Sequence, residues 1–419
     1  VEQSRYLVRI VDRELDDLMP HLAAISLDGA KGVGKTATAL RRAASFVALD
    51  RGTDRELISA DAGLLRRSAK PVLLDEWQRY PPSWDLVRRA VDDDATGGQF
   101  LLTGSAPPSD AVTHSGAGRI VRVRMWPLSI AERWPDAGRA VSLRGLLTGE
   151  RADVTGSAGA SLADYVDEIV GSGFPGMRNL EGRALRAALD GYLDNIVEHD
   201  FPEQGHVVRR PESLRAWLSS YAAAVSTSAS WESVRDAATP GSVTKPTRQT
   251  SINYRDVLSR LRMLNDVEAW LPQDNSMGQL SKAPKHHLVD PALACRLLGV
   301  TADTLMSPGG AAGVRLGHLF ESLVTQSLEV YAQANEARVY HFRTRAHEVD
   351  LIVERGDGAF VAVEVKVSPD VDDHDVRHLK WLRDSVGERM LDAVVVTTGE
   401  YAYRRSDGIA VVPLALFGP

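Results

Sequence analysis

Gly29-Ala-Lys-Gly-Val-Gly-Lys-Thr36 matches the pattern G-x-x-x-x-G-K-[ST] at every fixed position. An apolar run, Leu22-Ala-Ala-Ile-Ser-Leu27, precedes it, and a helical-looking run, Ala37 to Leu49, follows. Strand, glycine-rich loop and helix in that order make a phosphate-binding loop. Glycine lets the backbone fold tightly enough for its N–H groups to point inward at a polyphosphate. The helix start adds the positive end of its dipole. Gly29, Lys31, Gly32, Val33 and Gly34 are therefore expected to wrap the phosphates of ATP. Lys35 would reach the β- and γ-phosphates, and Thr36 would ligate Mg²⁺.

Downstream, Pro71-Val-Leu-Leu-Asp-Glu-Trp-Gln78 reads as an apolar strand with an acidic end. Asp75 would hold Mg²⁺ through water, and Glu76 would polarise the attacking water. A third apolar strand, Gln99-Phe-Leu-Leu-Thr-Gly-Ser105, ends in hydroxyls. Arg119 follows in Ser115-Gly-Ala-Gly-Arg119, ahead of Ile120-Val-Arg-Val-Arg-Met-Trp-Pro-Leu-Ser129. It reads either as an arginine finger, in cis or in trans, or as a solvated loop arginine.

P-loop, Asp-Glu-x-Gln, Leu-Thr-Gly-Ser, Gly-Arg and Pro-Leu-Ser, in that order, resemble a family of prokaryotic AAA-superfamily ATPases. That family carries a C-terminal region long labelled a domain of unknown function. The resemblance continues at Ser172-Gly-Phe-Pro175, Tyr192 to Asp200, Asp290-Pro-Ala-Leu293 and Leu316 to Val324. Two departures are Trp77, where many relatives have an aliphatic residue, and Ser172, where glycine is usual. Neither removes a catalytic group. In AAA-type ATPases a polar residue on the third strand senses the γ-phosphate. Thr103 is the first candidate for that role and Ser105 the second.

The chain of 419 residues is long enough for two to four domains. No run of 18 apolar residues predicts a membrane helix, and Val1-Glu-Gln-Ser-Arg-Tyr6 does not read as a signal peptide. Lone Cys295 excludes an internal disulfide and a cysteine-based zinc site. A cytoplasmic protein is expected. A net charge of −7 excludes a general polyanion binder, so contact with DNA would need a local basic patch.

Residues 206–262 offer one, with nine basic against four acidic residues and a local net charge of +5. Before them, residues 161–200 read as helices broken at Ser172-Gly-Phe-Pro175, either a nucleotide-sensing lid or a packed linker. Within the basic segment, Ser230–Ala238 and Ser251–Leu264 read as two helices, the second with Arg255, Arg260 and Arg262 largely outward. A strand pair, Val267–Leu271 and His286–Val289, follows. Helix–turn–helix plus hairpin describes a winged helix, which the family resemblance also implies; such domains read DNA or mediate protein contacts. His286 and His287 fall on opposite faces of a strand and do not read as a metal site.

Val349-Asp-Leu-Ile-Val-Glu354 and Phe360-Val-Ala-Val-Glu-Val-Lys-Val367 alternate as a hairpin joined by Arg355-Gly-Asp-Gly-Ala359. If Arg355 faces Ala359, then Asp350 faces Glu364, and Lys366 shares the face of Glu364. Two opposed carboxylates repel, and a divalent ion between them would remove that cost. The pattern closely resembles the restriction-endonuclease-like PD-(D/E)xK fold. That resemblance implies Mg²⁺ or Mn²⁺ on Asp350 and Glu364, with Lys366 acting on water or phosphate. Glu321 matches the family's helical acid and joins the metal set.

The fold class expected is multidomain α/β: an AAA-type P-loop ATPase domain over residues 1–140, a helical linker or lid over 141–205, a winged-helix-like domain over 206–300 and a restriction-endonuclease-like domain over 301–419. ATP hydrolysis controlling a nuclease-like, DNA-interacting domain is the leading expectation. A nucleotide-dependent switch with a silent nuclease fold is the alternative, and a small-molecule kinase is disfavoured by Asp75-Glu76. Homo-oligomers are common for AAA-type proteins, but Arg119 does not require one.

Overall fold

The computed structural model describes residues 6–104, 116–150, 153–205, 210–238, 245–271 and 283–419. Five parallel strands organise the N-terminal part: β1 (Ala24–Asp28), β2 (Ser45–Ala48), β3 (Val72–Asp75), β4 (Phe100–Thr103) and β5 (Ile120–Arg124). Their order is β2-β3-β4-β1-β5. Val72, Leu73 and Leu74 are fully buried, as a strand covered on both faces requires. From β1 the chain crosses to β2 at the far edge, while β5 lies on the other side of β1. That reversal opens a crevice at the carboxyl end of β1, where such sheets take ligands. The P-loop sits there.

The run Ala37 to Leu49 is not one helix. The helix is Lys35–Leu40, and Ser45–Ala48 is β2, paired with β3 from Ser45 opposite Val72 to Ala48 opposite Asp75. Edge pairing with a formed sheet outweighs helical propensity, and Phe46 and Val47 suit a pleated surface.

Two short strands follow, β6 (Val141–Ser142) and β7 (Gly156–Ser157), then helices Leu162–Val170 and Gly182–Asn195. Between these helices the chain breaks at Ser172, whose φ is 61°. Helices Pro211–Ala223, Trp231–Ala237 and Arg248–Arg260 lead into an antiparallel ribbon of β8 (Leu264–Val267) and β9 (Lys285–Leu288). The ribbon begins three residues before its expected start at Val267. Residues 268–270 run instead beside the C-terminal sheet, where the Trp270 N–H donates to the His341 carbonyl at 2.7 Å.

The C-terminal part has a long helix, Gly310–Gln333, and strands β10 (Arg338–Arg343), β11 (Glu348–Glu354), β12 (Phe360–Lys366), β13 (Met390–Thr397), β14 (Tyr401–Arg404), β15 (Ala410–Pro413) and β16 (Phe417–Gly418). A seven-stranded mixed sheet runs β10-β11-β12-β13-β15-β14-β7. Its last strand comes from residues 156–157, and β6 pairs with β16. Trp270 packs on Phe342 and Phe360 in the same core. Residues 141–142 and 156–157, expected in the helical linker, and Trp270, expected in the winged helix, therefore pack with the C-terminal part. β7 extends the edge of the seven-stranded sheet beside β14, and β6 pairs with β16 in a separate two-stranded ribbon. No helix among the described residues is long and apolar enough to cross a membrane.

Arg133 joins these parts. Its side chain is fully buried. It donates to the Leu128 carbonyl at 2.7 Å, the Glu168 carbonyl at 2.9 Å and Gln326 Oε1 at 2.8 Å, and pairs with Glu168 Oε2 at 3.2 Å. Glu168 belongs to helix Leu162–Val170 and Gln326 to helix Gly310–Gln333. Removing one partner of a buried pair strands the other. Arg133→Ala should lower stability by about 3–5 kcal/mol in urea titrations, and a loss below about 1 kcal/mol would contradict this role.

Candidate functional sites

The nucleotide site is assembled at the carboxyl ends of β1, β3 and β4. Gly34 takes φ 98°, a conformation that a side chain disfavours, and helix Lys35–Leu40 starts at the next residue. Gly29 lies so close to the residue after β5 that a Cβ would sit 2.2 Å from the Met125 carbonyl oxygen. Lys35 is buried, and its Nζ donates to the Gly29 and Ala30 carbonyls at 2.8 and 2.9 Å. Burial pulls its ammonium down to about 8, against the attraction of Glu76, Asp28 and Asp75. Thr36 Oγ1 donates to Asp75 Oδ1 at 2.7 Å, and Thr103 Oγ1 donates to the same oxygen. Parallel register brings this about, because Asp75 and Thr103 are direct neighbours on β3 and β4. Glu76 turns off the strand at φ 52°, and Gln78 Nε2 donates to its carboxylate. Ser105 lies outside the described residues.

Arg119 is not brought to this site in its own chain. It immediately precedes β5, whose Ile120 is level with Ala24 at the start of β1, whereas the P-loop follows Asp28 at the other end. Four strand steps separate the two levels, about 13 Å. Its guanidinium pairs with Asp92 at 2.7 Å on the surface.

Other groups, unexpected from sequence, do contact the P-loop. Arg9 donates to the Val33 carbonyl at 2.8 Å and the Trp126 carbonyl at 2.7 Å, and pairs with Glu132 at 2.9 Å. Lys31 Nζ pairs with Asp200 at 3.0 Å, and its carbonyl accepts from the Tyr192 hydroxyl at 3.0 Å. Arg262, expected to face outward, turns inward: its Nε donates to Asp28 Oδ2 at 3.0 Å. A φ of 61° in the turn before β8 aims it there. Elsewhere in the basic segment Arg255 pairs with Asp256, and Arg235 and Lys245 pair with Asp236. Arg209 lies outside the described residues.

The second site lies at the other end of the ribbon. Arg355 N–H donates to the Ala359 carbonyl at 2.8 Å, closing the hairpin. Leu351 pairs with Val363, and Asp350 and Glu364 are the next residues along each strand. Lys366 Nζ lies 3.1 Å from Glu364 and 3.9 Å from Asp375. Glu321 approaches from the centre of helix Gly310–Gln333. One cleft is lined by Glu321, Asp350, Glu364, Lys366, Lys285 and His318.

Lys285 was not legible as a site residue. Its side chain is 1% exposed, and its ammonium lies 2.8 Å from Glu321, 3.1 Å from Asp350 and 3.5 Å from Glu348. Burial alone would lower its pKa, but the three carboxylates outweigh burial and hold it above the ordinary lysine value. Burial pushes Glu321 up, against the pull of Lys285. Burial and the charge of Asp350 push Glu364 up as well. His286 pairs with Asp266 at 2.9 Å, and His287 is buried beside it, so neither joins this cluster.

Three comparisons bear on these sites. Residues 22–134 match a family described as an AAA domain. Residues 162–304 and 316–417 match two families described as domains of unknown function, DUF8612 and DUF4143. The uncharacterized proteins Mb2031c of Mycobacterium bovis and Rv2008c of Mycobacterium tuberculosis are each 24% identical over 350 residues, 82% of this chain and 68% of theirs. Among solved structures, a Walker-type ATPase of Pyrococcus abyssi is 16% identical over 70% of this chain and 97% of its own, with a TM-score of 0.42. The RuvB Holliday junction branch migration motor of Thermotoga maritima is 16% identical over 61% and 88%, with a TM-score of 0.28. The parallel sheet, its P-loop and the AAA match make the N-terminal part an AAA-type P-loop ATPase domain.

Lys35→Ala should abolish most nucleotide affinity, and affinity unchanged by calorimetry would refute its role. Glu76→Gln should keep binding and lose hydrolysis, since only the water-polarising group is removed. A wild-type rate of phosphate release from that variant would mean that another group acts as base.

Proposed function

We propose that this protein binds and hydrolyses ATP at the P-loop, and that its nucleotide state controls a C-terminal, nuclease-like domain that interacts with DNA. Thr36, Asp75 and Thr103 form a shared hydroxyl–carboxylate set beside Lys35, the oxygen donors that Mg²⁺ takes. Thr36 would hold the ion directly and Asp75 through water. Bound there, Mg²⁺ would neutralise charge on the β- and γ-phosphates. Lys35 would exchange its two loop carbonyls for phosphate oxygens. Glu76, released from Gln78, would orient the attacking water, and Thr103 would register the γ-phosphate through its bond to Asp75.

The observation that carries the control reading is the β8–β9 ribbon. At one end Arg262 holds Asp28, the last residue of β1 before the P-loop. At the other, Val267 is paired with Lys285, whose ammonium holds Glu321 and Asp350. A charge arriving at the P-loop would compete for Arg262 and so load the ribbon that carries Lys285. Three helices ahead of this ribbon support a winged-helix reading of residues 206–300. The carboxylates and Lys366 on β11 and β12 support the nuclease-like one. The alternative, a switch whose nuclease fold is silent, is favoured by the ion pairing of Lys285 within that cluster.

Hydrogen exchange on the Glu76→Gln protein, with and without ATP, tests the coupling. Exchange in residues 264–267 and 285–288 should change at least several-fold on ATP binding, and Arg262→Ala should remove the difference. Identical exchange in both states would refute control through the ribbon.

A further inference from the structure

The restriction-endonuclease-like reading implies a divalent ion between Asp350 and Glu364, and the side chains present do not fit one. Asp350 Oδ1 faces the Lys285 ammonium, and Oδ2 accepts the Val365 N–H at 2.9 Å. Glu321 Oε1 is likewise taken by Lys285 at 2.8 Å. Glu364 Oε1 lies 3.1 Å from Lys366, and Glu364 Oε2 is buried without a hydrogen-bond partner. The ammonium is held by Glu321 and Asp350, and an ion bound to Asp350, Glu364 and Glu321 would share two of its acids with that ammonium, so the two cations would repel each other across a short, poorly screened distance. They cannot share the cluster.

We propose that Lys285 is the resident cation of this carboxylate cluster and that it closes the site to divalent ions while β9 keeps its present position. The proposal rests on the nuclease-like reading for the identity of the acids, but it makes its own claim about what they hold. Lys285 comes from the ribbon, whereas every acid it touches comes from the 310–333 helix or from β11. The cation is therefore carried by a different structural element from its ligands, and a shift of the ribbon could withdraw it without unfolding the sheet. Buried ammonium and divalent ion become alternatives: one leaves a closed site, the other an open one.

The test uses full-length protein stripped of metal and free of nucleotide. Thermal unfolding and electron paramagnetic resonance follow binding of Mn²⁺ to wild type, Lys285→Met and Lys285→Met/Asp350→Asn. Lys285→Met should melt below wild type, because its acids lose their counter-charge. Mn²⁺ should then raise its melting temperature saturably, and the added Asp350→Asn change should abolish that rise. Wild type should show no Asp350-dependent Mn²⁺ site. An Asp350-dependent Mn²⁺ site in wild type overturns the proposal, and so does a folded Lys285→Met protein that Mn²⁺ does not stabilise. If Lys285→Met fails to fold, bound Mn²⁺ in wild type compared with Asp350→Asn decides alone.

Plasmid cleavage separates this proposal from the reading beneath it. Mn²⁺-dependent cleavage by Lys285→Met supports both. Mn²⁺ binding without cleavage supports the proposal and removes nuclease action. Asp350-dependent cleavage by nucleotide-free wild type supports nuclease action and overturns the proposal.

Discussion

A guanidinium with no access to water holds this chain together. Arg133 lies at the end of the segment that closes the ATPase sheet, yet its partners are Glu168 and Gln326, 35 and 193 residues further on. A buried arginine must have nearly all its donors satisfied, so its position is dictated by its partners. Glu168 is shared with Arg178 at 2.8 Å, which extends the network to the break after helix Leu162–Val170. At that break Asp290 accepts from the Gly173 N–H and the Ser172 hydroxyl. The ATPase sheet, the middle helices and the long C-terminal helix are thus fastened through one set of charge-assisted bonds. An apolar core extends across all three, which makes independent movement of a lid costly.

Against that rigid background the contacts around the P-loop differ in strength. The Arg9 bonds are buried and brace the loop from behind. The pairs of Lys31 with Asp200 and of Arg262 with Asp28 are each partly open to water. Exposed pairs contribute little and are readily exchanged. Lys285 with its carboxylates lies at the opposite extreme, in a low-dielectric setting where charge must be matched. The ribbon joins a partly open pair at one end to a buried cluster at the other.

Local chemistry made several features readable in advance. The P-loop motif and its flanking strand require only neighbouring residues, and so does the alternation of Val349–Glu354 and Phe360–Lys366. Period-two alternation put Glu364 and Lys366 on one face, and hairpin closure put Asp350 and Glu364 one step beyond the paired Leu351 and Val363. The helical run after the P-loop misled because propensity is weaker than the pull of an open sheet edge, and β2 took residues 45–48. Arg119 lies at the other end of β1 from the P-loop in its own chain, which sequence proximity to β5 does not reveal, and its surface pair with Asp92 agrees with the reading as a solvated loop arginine. Arg262 misled for a related reason: helical periodicity ends at Arg260, and one left-handed residue redirects the side chain.

Sequence by itself determined the phosphate loop, the acidic strand end beside it and the paired acids with lysine near the C-terminus. Each is written in residues a few positions apart, where backbone geometry leaves little choice. Tertiary structure decided what those groups face. Lys285 opens an ordinary short strand, directly before His286 and His287, with no motif to mark it. It meets Glu321 and Asp350 across 36 and 65 residues because a buried cluster of carboxylates needs a cation, and folding delivered one from the ribbon. Long-range pairing of charge has no local signature, because its energy depends on burial and distance, which only the folded chain defines.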